Sequence, residues 1–111
     1  MKYLLLIRPD KSYTGPVPPE VADATEAWVK EMEDRGIRLI GDRIRPAEDG
    51  TGVRVRGGKV VTTDGPFAES KEQMGGFDVI ECRDLDEAIE VASKHPVAGF
   101  GMVEIRPFWV E

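Results

Sequence analysis

The chain has 111 residues, 41% hydrophobic and 32% charged, with a formal net charge of −6 at pH 7. That length suits one domain spanning residues 1–111, and the composition suits a folded soluble protein rather than a disordered one. The acidic balance argues against direct nucleic-acid binding, which needs a basic patch facing phosphate, and the longest apolar run, Leu4 to Ile7, is far too short to span a membrane.

The opening "MKYLLLIRPD" has too short an apolar core for a signal peptide and no small-residue cleavage site, so it reads as the first strand of a cytoplasmic protein. Residues 2–8 carry Leu and Ile on both faces, the pattern of a central strand covered on both sides. "PDKSYTGPVPP" is a loop. From Pro19 to Arg35 the recurrence of Val21, Ala24, Thr25, Trp28 and Met32 predicts a helix, with Pro18-Pro19-Glu20 suited to its start and Gly36 to its end. Trp28 belongs to the core rather than to a ligand platform on this pattern.

Residues 37–44 predict a second strand. "VRVR" and "KVVTT" flank Gly57-Gly58, which predicts a hairpin with a two-residue turn. Residues 76–82 form a further strand. "RDLDEAIEVASKHP" follows as a helix, with Asp84 and Glu87 spaced as a capping box, Leu85, Ala88, Ile89 and Ala92 on one face, and Pro96 as the stop. "GMVEIRPFWV" closes the chain as a strand alternating Met102, Glu104 and Arg106 with Val103 and Ile105. With the hairpin set aside, the order is a ferredoxin-like βαββαβ, an α+β fold whose antiparallel sheet carries both helices on one face. A first strand apolar on both sides means that the other sheet face is also covered, and a homodimer is the economical cover.

The chemistry-bearing residues are few. One cysteine excludes an internal disulfide, and one cysteine with one histidine leaves almost nothing for a Cys/His metal site; no metal or cofactor is called for. Cys82 has no histidine beside it and reads as a structural thiol. "TTDGPFAESKEQMGGF" connects the hairpin to the following strand. Asp64, Gly65 and Pro66 are ordinary turn residues, Phe67 suits an anchor, and Glu69, Lys71 and Glu72 form either a solvated loop or one wall of a cleft. Arg8, Glu104 and Arg106 fall on strands that a ferredoxin-like sheet makes neighbours, as an ion-pair set or a ligand site. Tyr3, Met74, Phe77, Met102 and Phe108 suit apolar walls of a pocket or the filling of a dimer core.

The strings "DGPFAESKEQMGGFDVIE", "DLDEAIEVASKHP" and "GMVEIRPF", with "MKYLLLI" and "GDRIRPAEDGTGVR", resemble the DGPF group of the YCII-related family over nearly the whole chain. The resemblance implies a ferredoxin-like fold that dimerises into an α+β barrel. In that family a histidine and an aspartate have been taken to suggest enzymatic function, a few relatives act in small-molecule breakdown, and DGPF members are often encoded beside extracytoplasmic-function sigma factors. The family's aspartate matches Asp64. Its histidine is carried early in the chain, around the first helix, where this sequence has Ala27-Trp28-Val29; the single histidine here is His95, expected at the end of the second helix, where a helix dipole favours a charged imidazole. A catalytic dyad of Asp64 and His95 requires the two within hydrogen-bond reach, in one chain or across a dimer. Two functions follow as expectations. One is a small-molecule-binding domain, with or without a cofactor-free lyase, isomerase or dehalogenase-like activity using Asp64. The other is a non-catalytic regulatory or interaction protein linked to such a sigma factor.

Overall fold

Lys2–Arg8, apolar on both faces, forms β1 at the interior of a four-stranded antiparallel sheet. The computed structural model describes residues 1–9, 16–65 and 74–110. β1 is followed by α1 (Pro19–Asp34), β2 (Arg38–Arg43), β3 (Thr51–Arg56), β4 (Lys59–Asp64), β5 (Gly76–Glu81), α2 (Leu85–Ser93) and β6 (Met102–Pro107), with short 3₁₀ turns at Ala47–Asp49 and Pro96–Gly99. The sheet order β2-β5-β1-β6, every pairing antiparallel, is the ferredoxin-like arrangement expected from the sequence.

Alternation along β1 sorts the two faces. Tyr3, Leu5 and Ile7 meet Ile80, Trp28, Met32, Ala88, Val91 and Ala92 in one core, so both helices lie on the same side. The Trp28 indole N–H donates to the Val91 carbonyl at 2.9 Å, tying α1 to α2. On α2 the buried stripe is Ala88, Val91 and Ala92; Leu85 and Ile89, expected on that stripe, are about half exposed. Small side chains let α2 sit close to the sheet, and the helix turns its larger residues outward. Asp84 accepts from the Glu87 N–H as the capping box requires.

The opposite sheet face takes Leu4, Leu6, Phe77, Val79, Met102 and Ile40 by register, and no described helix or strand packs on it, although Leu6 at its centre is buried. Ile40 is 60% exposed there, and Trp109, beyond β6, is 95% exposed. β3 and β4 pair only with each other, across Gly57 and Gly58 at φ 56° and 76°. Positive φ at both turn residues is the type I′ geometry that matches strand twist. The radius of gyration is 16.0 Å, against roughly 13 Å for a compact chain of this length, and the molecule is only 19 Å thick along its shortest axis. No described helix is long and apolar enough to cross a membrane.

Candidate functional site

The face of α1 divides along its length. Trp28 and Met32 are buried in the core, whereas Val21, Thr25 and Val29 are half-buried and line a cavity of about 800 Å³. Its other walls come from Arg43 at the end of β2 with Ile44 and Pro46, Ala47 and Glu48 after it, from Met74 and Gly75 before β5, and from Val97 of the second 3₁₀ turn and Phe100 at its cap. Two backbone hydrogen bonds close the end of the sheet beneath it: Ile44 N–H to Gly75 O at 2.9 Å, and Gly75 N–H to Ile7 O at 2.7 Å. The lining is largely apolar, with Glu26, Arg43 and Glu48 as its charged members, the composition of a site for a small organic molecule.

The segment with the DGPF string ends on the wall of this cavity and begins behind one of its lining residues. Asp64 closes β4 in an exposed position opposite Thr51. The next residue, Gly65, donates to the Gly50 carbonyl at 2.9 Å and lies so close to the Ala47 carbonyl that a Cβ would collide with it. Ala47 is a wall of the cavity, and so are Met74 and Gly75 at the far end of the segment. Phe67, Glu69 and Lys71, expected as ligand contacts, lie outside the described residues.

His95 stands elsewhere. The sequence predicts it at the end of α2 in charged form. The helix instead ends at Ser93, and His95 becomes the N-cap of the 3₁₀ turn, its Nδ1 accepting from the Val97 N–H at 3.1 Å. It is 5% exposed and meets the Trp28 ring edge-on, centroids 4.8 Å apart. Burial lowers its pKa to about 4, so the ring is neutral at pH 7, in line with an accepting Nδ1. Desolvation outweighs the dipole here. Among the described residues no hydrogen bond within the chain joins Asp64 to His95; His95 bears on the cavity through Val97, whose backbone it fixes.

Arg8, Glu104 and Arg106 do come together, on the open face of the sheet. Arg8 Nε donates to Glu104 Oε1 at 3.1 Å, and Arg106 Nε donates to Glu104 Oε2 at 3.0 Å. Hydrogen bonds from Arg106 and Arg8 hold the Glu104 carboxyl below its ordinary range, against the opposing effect of partial desolvation. Of the apolar residues considered as pocket walls, Met74 lines the cavity and Tyr3 belongs to the core, while Phe77 and Met102 take the open face. Cys82 is buried, its thiol pushed up to about 11 mainly by desolvation, which leaves it an unreactive structural residue near neutrality. No group of three or more metal-ligating side chains occurs among the described residues.

One polar pair escaped the sequence reading. Arg38 Nε donates to Asp78 Oδ1 at 2.7 Å beneath the sheet, where Asp78 is 5% exposed. Burial raises the Asp78 pKa while Arg38 opposes it. The pair fits because Gly41, opposite Asp78 in the ladder, has no side chain to fill the space that the carboxylate occupies.

Fold and cavity together define a ferredoxin-like α+β domain with an apolar pocket between its first helix and the end of its sheet. The YCII-related domain matches residues 1–110, and the chain belongs to that family. An uncharacterized protein of Rhizobium meliloti (strain 1021) is 34% identical over 100 residues, covering 75% of this chain and 81% of the relative. Among solved structures, 5-chloro-2-hydroxyhydroquinone dehydrochlorinase from Burkholderia phenoliruptrix AC1100, in complex with 2,5-dihydroxybenzoquinone, matches with a TM-score of 0.52 over 98% of this chain and 94% of that one. At 14% identity that likeness is one of fold.

Proposed function

We propose that this chain is a cytoplasmic, homodimeric small-molecule-binding domain whose Asp64 segment serves a cofactor-free reaction of the lyase, isomerase or dehalogenase type. The observation that carries the reading is the cavity of about 800 Å³ with Met74 and Gly75, at one end of the Asp64 segment, on its wall, and Gly65, at the other end, packed against the lining residue Ala47. Glu26 and Glu48 on the cavity wall, with Asp64 beside Gly65 at the edge of it, are the carboxylates proposed for proton transfer or orientation. The uncovered sheet face, with Ile40 60% and Met102 46% exposed, supports a dimer in which a second copy covers it. The dehydrochlorinase of similar fold makes hydroxylated quinones a sensible first probe class, and 2,5-dihydroxybenzoquinone the first compound. Turnover of a screened quinol or halogenated hydroxyquinol that Asp64→Asn abolishes, with binding retained, supports catalysis. Turnover unchanged in Asp64→Asn contradicts it.

A second reading, a non-catalytic regulatory or interaction protein linked to an extracytoplasmic-function sigma factor, is favoured by the placement of His95. The single histidine is neutral and packed against Trp28 rather than lining the cavity. Specific retention of a sigma factor by the wild-type protein, with no ligand found for the cavity, favours this reading; retention of its own second subunit alone counts against it.

A further inference from the structure

No described element of its own chain covers the β3–β4 hairpin. Its two six-residue strands extend roughly 20 Å, and beyond their mutual ladder they make only isolated contacts with other elements. A two-stranded hairpin standing alone in water is marginal at best, so a well-formed one implies a surface on which it rests. Its two faces differ. Val53, Val55 and Val60 lie on one face by register, exposed at 65%, 58% and 69%. Arg54, Arg56 and Lys59 lie on the other. The amphipathic pattern is that of a ribbon docked by its valine face.

Charge narrows the occupant. Residues 51–64 hold three basic side chains and one acidic, while the rest of the chain holds 12 basic and 20 acidic. The arm is therefore a positive element on an otherwise strongly negative protein. None of its three cations forms an ion pair with a described residue. A second copy of the same chain supplies both complements. Its apolar sheet face, with Ile40 60% and Met102 46% exposed, suits the valine face. Its acidic body has a field that attracts the positive arm at long range, since the cations lie on the face turned away from that contact. Two-fold symmetry satisfies both protomers at once, because each arm then lies on the other's body.

We propose that the β3–β4 hairpin is an exchanged arm, the valine face of each protomer's hairpin packing on the body of a second copy. The proposal rests on the homodimer reading above and adds the element that clasps it. It also bears on the candidate site, because Asp64 forms the last rung of the arm opposite Thr51 and Gly65 packs against Ala47, which lines the cavity. Docking the arm fixes the segment that carries Asp64.

The test is sedimentation of the full chain and of V53T/V55T/V60T, which keeps β-branched side chains in the ribbon while removing its apolar face. The dimer dissociation constant is expected to rise at least about tenfold in the triple variant, with circular dichroism unchanged. V61T, on the opposite face, is expected to leave it unchanged. In parallel, a benzoylphenylalanine at position 55, in a mixture of isotopically light and heavy chains, is expected to cross-link light to heavy. A wild-type dimer whose dissociation constant the triple variant leaves unchanged, or cross-links confined to single chains, overturns the arm and leaves the dimer standing. A wild-type chain that is monomeric at every concentration overturns both.

Discussion

Replacing His95 with asparagine should remove a specific fraction of the protein's sensitivity to acid. In the folded state the imidazole has a pKa of about 4, against 6.5 when unperturbed, because it is buried against Trp28. A histidine whose folded pKa is depressed binds its proton in the unfolded state first. Stability is therefore lost as pH falls from the unfolded value toward the folded one, and the loss levels off below about 4. Between pH 7.5 and pH 5 the two protonation curves give a loss of about 2 kcal/mol. Asparagine keeps an acceptor for the Val97 N–H and cannot charge. Urea unfolding at fixed protein concentration, with both proteins measured from pH 7.5 to 5, isolates this group because every other titration cancels in the difference. The wild type should lose about 2 kcal/mol more than His95→Asn over that range. Parallel curves, or an imidazole proton that titrates near 6.5 in an NMR series, would refute the burial argument.

Gly41→Ala should destabilise the fold by about 3 kcal/mol or more, because the new methyl collides with the Asp78 carboxylate and separates it from Arg38; urea midpoints measure the loss. Asp84→Ala should cost about 1 kcal/mol by removing the acceptor for the Glu87 N–H at the start of α2, with little change in the unfolding m-value. Trp28→Phe should cost about 1–3 kcal/mol, since the bond to the Val91 carbonyl is lost with the outer indole ring, and the same urea series reads it.

The fold was legible because each strand and helix announced its period. β1 matches its expected span of residues 2–8, and Gly57-Gly58 makes the turn that its two glycines require. The place of Arg8, Glu104 and Arg106 followed from topology, since β1 and β6 pair and put Leu6 opposite Glu104. What the sequence concealed depended on contacts between distant residues. Helical spacing correctly put Val21 and Thr25 on the same side as Trp28, yet the cavity takes them and the core takes Trp28. The charge state of His95 turned on its desolvation against Trp28, 67 residues earlier in the chain, which no local pattern carries. The Arg38–Asp78 pair left only a faint signal, an aspartate at an inward position of β5 with a glycine opposite on β2. Exposure of the hairpin valines was equally hidden, since alternation reads the same whether a ribbon rests on its own chain or on another.

The central claim is that the cavity beside α1 receives a small organic molecule. Amide NMR spectra of the labelled protein, titrated with a library of small quinols and aromatic acids, test it most directly. The account predicts saturable shifts concentrated at Val21, Thr25, Val29, Gly75 and Val97, which line that cavity. Shifts confined to the open sheet face around Leu4, Val79 and Met102, or no saturable shift from any compound, would contradict it.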